Sequence, residues 1–159
     1  MSKDIFIKIA GIIGESTDGD HPLWIEVDSF NCSVAAAGGD DESSGACTHT
    51  PIEVSKTLDV SSPKLALYAC QHRPISSTII EVCRPSGTGS FKTIPYLRVT
   101  LTNSVIIAYS VSGGDGVPSE SFSLKYEKIQ WHYIHTHHQT GAMIGNVISH
   151  WDTAKNTGG

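Results

Sequence analysis

The clearest pattern in the chain lies between residues 105 and 133. Residues 105–111 are nearly continuous in Val, Ile, Ala and Tyr. Residues 112–120 hold Gly113, Gly114, Gly116 and Pro118, and no regular element crosses such a loop. The next run alternates, with Phe122, Leu124 and Tyr126 on one face and Ser121, Ser123 and Lys125 on the other. Then the phase slips, because Ile129, Trp131 and Tyr133 are odd-numbered. A period-two strand keeps its apolar set on one side only if a residue is inserted, so a β-bulge or sharp bend is predicted near Glu127 and Lys128. At about 3.3 Å per residue, residues 121–133 would span roughly 40 Å, a length used by barrels and large two-sheet folds.

The rest of the chain follows the same period. Ile5, Ile7 and Ile9 alternate with Phe6 and Lys8 in a first strand. After a turn-rich connection over residues 11–20, Leu23, Ile25 and Val27 alternate with Trp24, Glu26 and Asp28, in a strand that extends toward Val34. Residues 35–50 combine small residues, glycines and an acidic triplet, with no large apolar side chain. A loop of that length in a compact domain is either a floppy surface excursion or a segment that becomes ordered only against a neighbour. Ile52, Val54, Leu58 and Val60 share a phase. One helix is signalled, about Pro63–Gln71, with Ser62 able to cap and Leu65, Ala66, Tyr68 and Ala69 at helical spacing. Pro74 pushes its neighbour out of helical geometry. Strands are expected over 77–84 and 91–102, joined by a hairpin turn at 85–90. Residues 136–146 are polar and small, and Val147, Ser149 and Trp151 suggest a short last strand. The expectation is a mainly β fold of about eight to ten strands with one short helix plugging or flanking the sheets, in a single domain over residues 1–159.

Composition narrows the function. The 159 residues carry 39% hydrophobic and 17% charged positions, which suits a folded core. A formal net charge of −5, with Lys and Arg scattered singly, excludes a nucleic-acid binder dependent on a basic face. The N-terminal run lacks the apolar core of a signal peptide, and no stretch approaches a membrane span, so cytoplasmic synthesis and no membrane insertion are expected. Cys32, Cys47, Cys70 and Cys83 form no CxxC pair and are expected to be reduced and individually buried.

Candidate chemistry is sparse. His132, His135, His137 and His138 offer imidazoles, but strand alternation splits them between two faces without a Cys or carboxylate at ligand spacing. No GxSxG elbow or sequence-evident Cys–His pairing supports nucleophilic catalysis. The Gly113–Gly116 cluster lacks the GK[ST] of a phosphate loop, and Asp40, Asp41 and Glu42 lack the order of a calcium loop. Neither a cofactor nor a metal is expected. Trp24, Trp131 and Trp151 lie in strand patterns that favour packing over sugar stacking.

Taken together, several blocks resemble one family. They are DIFIKIAGIIGES, Asp18, His21 and Ile25-Glu26-Val27 at the start, then SPKLALYAC, YLRVTLTNSVII, SVSGG, ESFSLKYEKIQWHY and the terminal WDTAKN. Their order is similar to that of the haemolysin-coregulated proteins, Hcp, the tube proteins of the bacterial type VI secretion system. The resemblance implies a two-sheet β-barrel with one short α-helix at its side, in a non-enzymatic structural protein that forms a homohexameric ring. Rings would stack into a tube ejected by a contractile sheath, tipped by a spike protein and carrying small effectors in the lumen. It implies export by that apparatus to the extracellular space or a target cell, and no fused effector domain. It also places the 35–50 excursion where the family has a loop reaching an adjacent subunit or ring. Gly38, Gly39, Asp40, Asp41, Glu42 and Ser43 are therefore the expected contact residues, with acidic charges that weaken stacking unless cations face them. Two alternatives remain: an extracellular carbohydrate-binding β module using Trp24 or Trp131, and a metalloenzyme built on His132–His138.

Overall fold

The alternating N-terminal run becomes β1 (Ile5–Ile9), with Ile7 and Ile9 buried on one face. It pairs antiparallel with β2 (Ile25–Val27) on one side and with β7 (Ile75–Pro85) on the other. The structure, a computed structural model, describes residues 4–36, 47–85, 93–137, 139–140 and 142–159. Its remaining strands are β3 (Ser29–Asn31), β4 (Val34–Ala35), β5 (Thr48–His49), β6 (Ile52–Thr57), β8 (Thr93–Ser112), β9 (Ser119–Thr136), β10 (Met143–Asp152) and β11 (Thr157–Gly158). A single helix, α1 (Ser62–Gln71), interrupts them among the described residues.

Strands β8 and β9 are the frame. They pair from Leu97↔Tyr133 to Ser112↔Ser119 and hand different partners to their two halves. The first half of β9 takes β6, through Ile52↔Leu124 to Thr57↔Ser119, and β6 takes β3. The second half of β9 takes β10, and β8 continues to β7, β1 and β2. Residues of both halves, including Ile7, Ile80, Val99, Ile52, Val54 and Phe122, meet in one buried cluster.

The expected barrel is corrected here. The hydrogen-bonded path runs β11-β10-β9-β8-β7-β1-β2 and does not close. β2 pairs with β1, whereas β3 pairs with β6. The two three-residue strands meet at Asp28, where the chain changes partner and the Asp28 N–H bonds Ser55 O at 2.9 Å. A strand continuous from Leu23 to Val34 would have carried the ladder around this corner; the break at Asp28 prevents it.

The phase slip appears where the pattern put it, as a bend and without a bulge. Phe122, Leu124, Tyr126 and then Ile129 are buried, yet the register against β8 is unbroken there: Ser104↔Tyr126 is followed by Thr102↔Lys128. The partner strand slips at the same place, from Ile106 and Ser104 to Leu101 and Val99. Between them Asn103 has φ 53°, a left-handed conformation that Asn tolerates better than most residues, and its amide donates to Glu127 at 3.0 Å. Two strands that bend together keep register, so no extra residue is needed. The ladder irregularities of β7, β8 and β10 lie elsewhere, at Val82/Cys83, Ile106/Ala108 and Met143/Gly145. Because Asn103 does not break the strand, the two runs read separately as 91–102 and 105–111 form one strand of 20 residues.

Helix α1 begins one residue earlier than expected, and Ser61, not Ser62, is the capping position. Neither serine caps by its side chain. Asp59 takes that work, accepting the Ser61 N–H at 2.9 Å. At the other end His72 adopts φ 49°, its N–H bonds Ala69 O and the Arg73 N–H bonds Tyr68 O, which stops the helix ahead of Pro74. Leu58 and Val60, placed in phase with Ile52, are exposed, because β6 ends at Thr57 where the chain turns toward the helix.

Candidate assembly surface

Strand β10 and the end of β9 run past the core. Trp131 and Trp151 pack against the core cluster, but farther along the same face Tyr133 and Val147 are open to solvent, Val147 at 66% exposure. On the opposite face Ile144 and Ile148 are exposed as well. The strand bonds β9 on one edge, and β11 with Gly159 covers the other edge only from His150 to Asp152. A ten-residue strand with apolar side chains on both faces and a largely unpaired edge is a template for pairing with another chain. The sequence reading, which expected a short strand here, missed this surface because Asn146, Ser149 and His150 interrupt the alternation.

The excursion over residues 35–50 starts and ends as a two-strand ribbon, with Val34↔His49 and Ala35↔Thr48 paired. Both β4 residues are exposed. The expected contact residues Gly38, Gly39, Asp40, Asp41, Glu42 and Ser43 lie outside the described residues, as do residues 86–90 of the expected hairpin turn and 91–92 of the strand expected after it.

The histidine cluster does not converge among the described residues. His132 Nε2 pairs with Asn146 Oδ1 at 2.7 Å, His135 is exposed beside Tyr133, and His137 Nδ1 accepts N–H bonds from Gln139 and Thr140. His138 lies outside the described residues.

Two buried polar networks lock the layers. In the first, the loop leading into β2 places His21 flat against Phe6, ring centroids 4.3 Å apart. Gly14 lets that loop approach closely: a Cβ there would lie 2.4 Å from Trp24 O. His21 Nδ1 meets Asp18 Oδ2 at 2.7 Å and Nε2 meets Glu81 Oε2 at 2.6 Å, while Arg98 donates to the other Glu81 oxygen at 2.7 and 2.9 Å. His21, Glu81 and Cys83 offer a nitrogen, an oxygen and a sulfur within 4.8 Å of one another. The nitrogen and oxygen sit at hydrogen-bond separation, shorter than the roughly 3.3 Å between two ligands on a tetrahedral ion. This cluster is a clamp joining the loop, β7 and β8.

The second network is centred on Lys56, whose side chain is fully buried and ion-paired to Glu120 and, at 2.9 Å, to Asp59. Glu120 also accepts from Tyr109 at 2.6 Å and from Ser62 at 2.8 Å. Burial first, and the Glu120 hydrogen bond second, push the Tyr109 phenol up to about 12. This network ties the helix start to β6, β8 and β9. The second clamp was legible in strand parity. Lys56 is in phase with Ile52 and Val54, and Glu120 with Phe122 and Leu124, so each had to be buried with a partner.

The cysteines are free, but they are not all buried as expected: Cys83 is buried, Cys32 and Cys47 half-buried and Cys70 exposed. The absence of a Cys–His pairing is also corrected. Cys47 Sγ lies 3.1 Å from His49 Nε2, and His49 Nδ1 lies 2.6 Å from the Tyr126 hydroxyl. A Cys-x-His spacing in an extended segment puts both side chains on one side.

A family model described as "Type VI secretion system effector, Hcp" matches residues 6–133. The chain belongs to the Hcp family of the type VI secretion system. No curated protein matches it by sequence. Among solved structures it is similar to Hcp1 from Salmonella typhimurium, with 25% identity, a TM-score of 0.82 and 99% of each chain covered. Hcp2 from the same organism shares 27% identity at a TM-score of 0.73, covering 97% of this chain and 98% of that one. A structure described as "a type six secretion system protein" matches with a TM-score of 0.86 and 24% identity, covering 99% of this chain and all of the other. The last likeness bears on fold alone. The Hcp fold, mainly β with one helix, is therefore common to chains that share about a quarter of their residues. Among the described residues no helix is long and apolar enough to cross a membrane.

Proposed function

We propose that this chain is a structural tube component of the type VI secretion system, a homohexameric ring whose copies stack into the ejected inner tube. The observation that carries this reading is the overhang of β9 and β10, apolar on both faces and with an open edge, in a chain of the Hcp family. A second copy is the occupant best suited to it. A strand edge pairs with a strand edge, and in a closed ring every copy gives one surface and receives another, so no edge is left for unlimited growth. The arm that begins at β4 and ends at β5 is the second contact, with its acidic residues Asp40, Asp41 and Glu42 meeting cations on a neighbouring subunit or ring. The sheath supplies the work of ejection. This chain supplies a rigid conduit and, in its lumen, a surface for small effectors, with the spike protein at the tip and no enzymatic step of its own.

Export tests the reading. In cells with a working contractile apparatus the chain appears in the medium, and deleting the sheath retains it inside without lowering its total amount. Equal export with and without the sheath would sink the assignment.

A further inference from the structure

The root of the arm holds a grouping that the tube reading does not use. Cys47 immediately precedes β5, and its sulfur lies 3.1 Å from Nε2 of His49, two residues on. On the far side of the imidazole, Nδ1 lies 2.6 Å from the hydroxyl of Tyr126, on β9. The ring of His49 is also edge-on to that of Tyr126, centroids 5.5 Å apart. The imidazole is thus held from its own strand and from a strand 77 residues away. With the Nδ1 proton donated to the Tyr126 oxygen, Nε2 is left as an acceptor aimed at the thiol. This is the arrangement of a nucleophile, its base and a group that orients the base. Beside it lies a cavity of about 160 Å³, walled by Thr50, Pro51, Tyr126 and Thr153 and with Lys125 on its lining.

We propose that Cys47 is a reactive thiol, activated by His49, that forms a mixed disulfide with small carboxylate-bearing disulfides entering this cavity. The base is available, because burial lowers the His49 pKa and keeps the ring neutral. Tyr126 stays a phenol, its pKa raised chiefly by burial. In the exchange, the Cys47 proton passes to His49 Nε2 and the sulfur attacks one sulfur of the incoming disulfide. One S–S bond forms as the other breaks, the departing thiolate takes the proton from His49, and no outside oxidant is needed. The lysine ammonium on the lining favours an anionic partner. The other cysteines lack this setting. Cys83 lies 3.8 Å from His21 Nε2, but it is buried and that nitrogen faces Glu81; burial raises the Cys32 thiol, and Cys70, although exposed, stands on the outer side of α1. Modification at Cys47 would fill the cavity and press on the seat of β5 against β9, which gives the root of the arm a redox-dependent geometry.

The test uses the full chain and glutathione disulfide, with site-resolved mass spectrometry of Cys47 and Cys70 in the same sample. Cys70 serves as the exposed reference. Folded protein is expected to modify Cys47 at least about tenfold faster than Cys70, and in denaturant the two rates converge. His49→Gln is expected to lower the Cys47 rate by about tenfold while the Cys70 rate is unchanged. A folded ratio near one, or a His49→Gln protein with an unaltered Cys47 rate, would overturn the proposal. If His49→Gln does not fold, the folded-to-denatured ratio in the unsubstituted chain decides alone. None of these outcomes depends on whether the chain forms rings.

Discussion

At the scale of single residues, the fold relies on charges placed where the pattern calls for apolar side chains. Lys56 and Glu120 each have 0% side-chain exposure, and each sits at a core-facing position of its strand. Removing one partner of such a pair leaves the other buried and uncompensated, so Lys56→Met is expected to cost about 3 kcal/mol, read from urea unfolding. A loss below about 1 kcal/mol would show that the pair is not buried in solution. The same network fixes the alkaline limit. With the Tyr109 pKa raised to about 12 from an ordinary value near 10, the native state holds that proton more tightly than the unfolded chain does. Its contribution is fully present below about pH 10 and is lost as pH rises toward 12. The fall in stability over that window is expected to be shallower in Tyr109→Phe, measured by denaturant midpoints at several pH values. An unchanged slope would contradict the assignment. Strand parity alone is enough to mark Lys56 and Glu120 as core-facing in the sequence. Asp18, His21, Glu81 and Arg98 were harder, since their convergence needs a loop, β7 and β8 in register at once.

Among the elements, the paired bend of β8 and β9 decides the architecture. The run from Phe122 through Tyr126 to Ile129 and Trp131 announced a change of face, and burial follows it. What parity could not reveal is that β8 slips opposite β9, because Thr102, Asn103 and Ser104 carry no apolar signal. The bend therefore depends on Asn103 in the left-handed region. Asn103→Val, which is stiff and disfavours positive φ, is expected to destabilise by about 1–3 kcal/mol. Asn103→Gly, which loses the amide bond to Glu127 but relieves the backbone, is expected to stay within about 1 kcal/mol of the parent. Equal losses in the two would shift the cause from backbone conformation to the side-chain bond. The helix was legible for a simpler reason: its start and stop residues are local, and only the identity of the cap depended on Asp59.

For the whole molecule, the surface matters more than the core. The overhang of β10 was hidden because apolar residues open on both faces of a strand give no alternation to follow. Family resemblance, spread over blocks from the first strand to the last, gave the family where pattern alone stopped at a mainly β domain with one helix, and the closed barrel that it implied is not formed. If β10 joins copies, a charge on its core-side face blocks assembly without harming the chain itself. Val147→Lys, at a position 66% exposed, is expected to leave unfolding stability within about 0.5 kcal/mol and to shift the population toward monomer. An undiminished assembly would move the contact elsewhere.

The most direct test of the account is the mass of the purified chain by light scattering on a size-exclusion column, with negative-stain microscopy of the same peak. The account predicts a species of about six times the 17.0 kDa chain mass, seen as rings with a central opening. A clean monomer at high protein concentration, with no rings, would contradict it and leave a shared Hcp fold serving a different role.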